Sequence, residues 1–202
     1  MWKISNRDAE AIIDDELAKK SLSRYFAVMQ NKKTAKFMVA KLLPAEFDEN
    51  APIKTLWEEH KKRTEDFYKI ENALDTRNES EFPKPKKSYF NLKIEIASKI
   101  LKKCHFCSRR CRINRSAGEF GYCKCGDTML VSSIFAHLGE EPELVPSGTI
   151  FTIGCTICCR HCQNWAISQW IETGNKCKPL DVAVAIKRLR LSGCKNVNLV
   201  GG

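Results

Sequence analysis

The run Thr149-Ile-Phe-Thr-Ile153 stops at Gly154 and opens directly onto Cys155, Cys159 and Cys162, three cysteines spaced x3 and then x2. An unbroken run of β-branched and aromatic residues reads as a buried strand, and a glycine after it as a turn. The cysteines therefore begin where a strand ends, in a loop. At i, i+4 and i+7 the same three residues would also line one face of a helix and pack there as small hydrophobes. The strand and the glycine in front of them argue against that arrangement. Three thiolates from one loop can hold three irons of a cubic iron–sulfur cluster and leave the fourth without a protein ligand, whereas electron carriers cap all four with cysteine.

Composition supports metal ligation over disulfides. The chain has 202 residues and 11 cysteines, fewer than a disulfide scaffold of that length requires. No N-terminal stretch has the three-part pattern of a secretory signal, and no apolar run reaches the length of a membrane span, so a cytoplasmic protein with no membrane partner is expected. Thiols stay reduced in that compartment, and clustered ones then serve as ligands. The net charge of +10, from 34 Lys and Arg against 24 Asp and Glu, invites a nucleic-acid reading. The charge is spread along the chain, however, and its densest stretches, Lys84 to Lys87 and Arg109 to Arg115, are short. They read as a solvated linker and a loop flanking the cysteines, and nucleic acid is not an expected partner.

Periodicity divides the chain into three. Residues 5–30 read as helical, with Ser5 and Asp8 forming a cap-like start and Ile12, Ile13, Leu17, Phe26 and Met29 an apolar side. Thr34 to Leu43 continues as a helix until Pro44. A third helix begins near Pro52 and carries Leu56, Trp57, Phe67, Ile70 and Leu74. Thr76 to Lys87, with Pro83 and Pro85, is the linker candidate. A further amphipathic helix spans Asn91 to Lys103. After the Thr149–Ile153 strand and its cysteine loop, Pro179 opens a helix bearing Val182, Ile186 and Leu189, and Gly193 closes it. Asn196 to Val200 is a second strand, which makes a parallel βαβ unit. The expected fold is α/β, with a helical region and linker over 1–87, a Cys-rich metal-binding segment over 88–148 and the βαβ unit over 149–202.

The middle segment carries a second constellation. Cys104, Cys107, Cys111 and Cys123 form a C-x2-C-x3-C-x11-C pattern, with Cys125 two residues on. Four thiolates suit a structural zinc ion or another iron–sulfur cluster. Cys125 either substitutes for Cys123 or stays free. Cys177 and Cys194 have no partner at ligand spacing and read as structural.

The segment from Thr149 through Gly-Cys-Thr-Ile-Cys-Cys-Arg-His-Cys-Gln-Asn to Gln169 resembles the signature of radical S-adenosylmethionine (SAM) proteins, in particular the group that resembles pyruvate formate-lyase activating enzymes. Arg112 to Gly121 and His137 to Pro142 are similar to that group as well. The resemblance implies that the βαβ unit begins a (β/α)6 partial barrel, and that Cys155, Cys159 and Cys162 hold a [4Fe–4S] cluster. SAM would chelate the open iron, and its reductive cleavage would yield a radical that abstracts hydrogen from a substrate.

By the same resemblance, His161 lies near the adenine of SAM, and Gly201 and Gly202 stand where the methionyl end is bound. Cys158 departs from the pattern; it stands where it would compete for an iron, and its side chain is expected to point away. An external electron donor and anaerobic conditions are implied, with an activase-like role toward a partner protein. The substrate itself is not specified. The resemblance also implies a chain truncated after the second barrel strand: either a truncated product or one half of a barrel that a second polypeptide completes. The alternative reading is a non-catalytic iron–sulfur or zinc protein.

Overall fold

The computed structural model describes residues 15–76, 83–171 and 174–201. Ser5, Asp8, Ile12 and Ile13 of the expected first helix lie outside the described residues, as do residues 77–82 of the expected linker. The chain divides into two compact units, one comprising Leu22–Ile100 and the other built on Leu101–Gly202. Helix α1 (Glu16–Ser21), which belongs with the Leu101–Gly202 unit, buries no residue, and Leu17 is 78% exposed, so it supplies no core face.

The Leu22–Ile100 unit is helical: α2 (Ser23–Met29), α3 (Lys36–Leu42), α4 (Ile53–Thr76) and α5 (Tyr89–Lys102). Helix α3 stops before Pro44, since the residue preceding a proline is driven out of helical geometry. Ser88 starts α5 with reciprocal bonds, its Oγ accepting from the Asn91 N–H at 3.2 Å and its own N–H donating to Asn91 Oδ1 at 3.0 Å. Leu92, Ile96 and Ile100 then recur on one face of α5 and pack with Leu56, Ala40, Leu43 and Tyr89 into the core of this unit. Trp57, expected on the apolar stripe of α4, is instead 43% exposed and meets His60 edge to face. Arg24 joins α2 to the far end of α4, pairing with Asp75 and with Glu71 at 3.0 Å.

The second unit is built on a mixed sheet. Strands β1 (Met129–His137), β2 (Ser147–Thr152), β3 (Asn175–Cys177) and β4 (Val197–Val200) lie in the order β3-β1-β2-β4. Strand β2 runs antiparallel to β1 and parallel to β4. The parallel pair matches the βαβ expectation, with helix α7 (Pro179–Leu191) in the connection. Two features correct it. The connection also contains β3, which pairs with β1, and β2 is an interior strand flanked on both sides, where a two-strand fragment was expected.

Helix α7 begins on Pro179, with the Lys178 N–H donating to Asp181 Oδ2 at 2.8 Å. Its Val182 and Leu189 pack on Ile150 and Val131 of the sheet, together with Cys194. Cys194 thus has a packing role. Among the described residues no helix is long and apolar enough to cross a membrane.

Candidate metal centre

Strand β2 delivers the chain to Gly154, whose φ of +95° favours glycine and turns the backbone into the cysteine loop. The Gly154 N–H donates to Ile167 O at 2.9 Å, so the loop closes on the short helix α6 (Trp165–Ser168) that follows it. Inside the loop, the Gln169 side-chain amide donates to Cys159 O at 2.7 Å and the Cys162 N–H to Cys159 O at 3.2 Å. Cys155, Cys159 and Cys162 are free and partly exposed.

The thiols feel one another and their flanks. The hydroxyl of the buried Ser168 lies 3.4 Å from Cys162 Sγ and holds that thiol below its ordinary pKa. Desolvation and then the neighbouring Cys162 push Cys159 up. Cys158 takes a left-handed φ of 52° and its thiol turns back to donate to Cys155 O at 3.2 Å. His161 stands exposed on the turn before Cys162.

Strand β4 ends at the same end of the sheet. The pairing of Phe151 with Val200 brings Gly201 beside Thr152, and a Cβ on Gly201 would overlap the Thr152 carbonyl. Gly201 and the cysteine loop therefore share one sheet end, while Gly202 lies outside the described residues. His137 pairs with Ser147 at the opposite end of β2. The His137–Pro142 segment is therefore removed from the cysteine loop by the length of the strand, about 17 Å at 3.3 Å per residue.

The second pattern forms a knuckle. The Cys104 N–H donates to Ile113 O at 2.9 Å and the Arg112 N–H to Cys104 O at 2.8 Å, which folds residues 104–113 back on themselves. Cys104 and Cys123 are buried, and Cys107 and Cys111 partly so. Arg115, 6% exposed, lies between them. Its Nε donates to Cys104 Sγ at 3.0 Å, its Nη2 to Cys123 Sγ at 3.1 Å and its Nη1 to the Cys125 carbonyl.

Burial pushes the Cys104 and Cys123 thiols up. At Cys104 the Arg115 guanidinium and then the Phe106 backbone overcome that, and at Cys123 the Cys125 backbone and then Arg115 do, which leaves both below the ordinary value. Cys125 is different: burial and then Cys123 push it up to about 12, and its thiol is directed at the carbonyls of Cys123 and Ile153.

The two cysteine segments meet. The Cys155 N–H donates to Cys123 O at 3.2 Å, and Arg109 Nε donates to Thr156 O at 3.1 Å while its guanidinium lies over the Tyr122 ring. Among the described residues, no three His, Cys, Asp or Glu side chains converge on one ion-sized point. A cubic cluster does not ask this of the Cys155 loop, because each of its thiolates binds a different iron. Three thiols on one partly exposed loop are the kind of donor set such a cluster takes. A single zinc ion at the knuckle would require its four sulfurs to close to about 2.3 Å from the metal. Sequence reasoning missed Arg115, Arg109 and Ser168, since nothing in the pattern of residues tells a buried arginine from a solvated one.

The fold and site together define a mixed α/β protein with two adjoining cysteine segments at one sheet end. A protein of Methanocaldococcus jannaschii described only as uncharacterized is 41% identical over 187 residues, which cover 90% of this chain and 53% of that protein. The chain thus spans about half the length of the curated relative it matches. No protein-family model matches the chain, and no solved structure matches it.

Proposed function

We propose that this chain carries the cluster-binding portion of a radical SAM enzyme, with Cys155, Cys159 and Cys162 as ligands of a [4Fe–4S] cluster. The observation that carries the reading is the placement of these three thiols on one loop at the end of β2, beside Gly201 at the end of the parallel strand β4. The bound cluster and SAM would supply one-electron reductive cleavage and hydrogen abstraction. The chain's own part is to hold and orient. Ser168 lies in hydrogen-bond contact with the Cys162 thiol, Gln169 and Gly154 fix the loop, and Gly201 brings backbone to the sheet end where the methionyl end of SAM would lie. The exposed His161 would flank the adenine. Cys104, Cys107, Cys111 and Cys123 would hold a second metal, zinc or iron–sulfur. A partial barrel, an external electron donor, a protein substrate and a cytoplasmic, anaerobic setting belong to the same proposal.

The test is anaerobic reconstitution with iron and sulfide, followed by electron paramagnetic resonance of the reduced cluster with and without SAM and assay of 5′-deoxyadenosine. The expected result is a cluster lost in Cys155→Ala, Cys159→Ala and Cys162→Ala, with a spectrum that SAM alters. A cluster whose spectrum ignores SAM, with no 5′-deoxyadenosine formed, would leave a non-catalytic iron–sulfur protein in its place.

A further inference from the structure

Arg115 is the most buried cation of the Leu101–Gly202 unit, and its surroundings define what it does. Among the described residues no carboxylate lies within ion-pair distance of it. It hydrogen-bonds two cysteine sulfurs and one carbonyl. A buried charge is retained only where it is paired and hydrogen-bonded, so the partner here is sulfur. Cys111 joins the group. A Cβ at Gly121 would stand 2.8 Å from Cys111 Sγ and 3.1 Å from Arg115 Nη2, so both border the same glycine. Two of the four cysteines in the C-x2-C-x3-C-x11-C pattern are therefore hydrogen-bonded to one guanidinium, and a third borders the same glycine. Gly121 is the residue whose missing side chain makes room for them.

We infer that Arg115 is a positioning residue of the second cysteine site, holding the sulfurs of Cys104 and Cys123 together and continuing to donate N–H···S bonds to them once metal is bound. The inference rests on the proposed reading of these cysteines as a metal site. The physical need is charge. A divalent ion with four thiolates carries two net negative charges, and a fixed guanidinium offsets one of them without taking a ligand position. Its planar fork reaches two sulfurs at once, which the single ammonium of lysine does not do with the same geometry. The competing reading is that the guanidinium occupies the place of the ion. The two readings differ in sign. A positioning residue strengthens metal binding, whereas an occupant competes with it.

The experiment uses the full chain carrying Cys155→Ser, Cys159→Ser and Cys162→Ser, so that only the second site can bind, with Co²⁺ as the probe. Thiolate-to-cobalt charge-transfer absorption and competition against a chelator are read for Arg115 and for Arg115→Lys, Arg115→Gln and Arg115→Ala. We expect Co²⁺ affinity to fall about 10–100-fold in the glutamine and alanine variants, as for other groups that support metal ligands. The lysine variant should fall less, and the charge-transfer band should shift in all three. Circular dichroism checks folding, and the lysine variant keeps the test open should the others fail to fold. Unchanged or tighter binding in the variants, or a lysine variant identical to wild type in affinity and band, overturns the inference while leaving the metal site standing. Absence of cobalt–thiolate absorption in the Arg115 parent overturns the metal-site reading itself, and the inference with it.

Discussion

The backbone N–H of Cys155 donates to the carbonyl oxygen of Cys123 at 3.2 Å, which ties the first thiol of the loop triad to the last of the knuckle pattern. The contact is made through backbone, so it constrains where both side chains start without using either sulfur. It also makes the turn at Gly154 a junction. Any atom added there meets the knuckle and not solvent.

Substitution at Gly154 tests that junction. A Cβ would overlap Cys125 Sγ and the Cys123 carbonyl, and φ is +95°. Gly193 provides the control, with φ of +97° and nothing within 4 Å of the Cβ position. Gly193→Ala should cost about 1–2 kcal/mol, the cost of left-handed backbone for an L residue. Gly154→Ala should cost clearly more in urea denaturation, and reconstituted iron should drop with it. Equal costs for the two substitutions would mean that the knuckle yields freely and the junction is not tight.

Ser168 and Cys162 give a prediction on reactivity. The Ser168 hydroxyl is the leading cause that holds the Cys162 thiol below its ordinary pKa, while desolvation and then Cys162 itself push Cys159 above it. Thiolate is the nucleophile. In metal-free protein near neutral pH, Cys162 should therefore be alkylated before Cys159, as followed by peptide mass spectrometry over time. Ser168→Ala should move the pH at which Cys162 begins to react upward and narrow the difference. Cys159 reacting first in the wild-type protein would contradict the assignment.

The parts of this structure legible in the sequence were those with strong local codes. Pro44, Pro52 and Pro179 fixed helix ends, the Leu92, Ile96 and Ile100 stripe fixed a buried helix face, and the apolar run before Gly154 fixed β2. Strand β1 escaped. Its register with β2 shifts between Val131 and Ser133, and such an irregularity breaks the two-residue alternation by which a half-buried strand is recognised. The site divided in the same way. Cysteine spacing marked both thiol segments, because spacing is local. The arrangement of Arg109, Arg115 and Ser168 around them is set by contacts distant in the chain, which no local pattern encodes. The separation of His137 from the loop likewise follows from the antiparallel register and not from its position between two cysteine segments.

Arg109 links the two segments through side-chain contacts. Its Nε donates to Thr156 O at 3.1 Å and its guanidinium lies 3.3 Å from the centroid of the Tyr122 ring. Lysine at this position keeps the charge but cannot stack and donate along the same plane. Arg109→Lys and Arg109→Ala should both speed backbone hydrogen exchange over residues 156–162. Stability should fall by about 1 kcal/mol, the scale of an exposed cation–π contact with one hydrogen bond. Exchange over residues 156–162 that is unaltered in both variants would show that the loop is held by the Gly154 and Gln169 contacts alone.

In the helical unit, Asp75 supplies a pH prediction. The hydrogen bond from Arg24 is the leading cause that holds its carboxyl below the ordinary value of 3.8, with burial opposing and Lys33 adding to the effect. A carboxylate whose folded pKa is depressed contributes stability that is fully present above the unfolded value and is lost as pH falls through the folded one. Arg24→Gln should therefore lower the unfolding free energy by about 1.5–3 kcal/mol at neutral pH, the range for a hydrogen bond to a charged group. The difference from wild type should stay level down to about pH 5 and close progressively below 3.8, where Asp75 takes up its proton in both proteins. Urea denaturation of the full chain at stepped pH, followed by helical circular dichroism, measures the gap. A gap that persists unchanged to pH 2 would assign the effect of Arg24 to its packing and its bond to Thr34 O, not to the charge on Asp75.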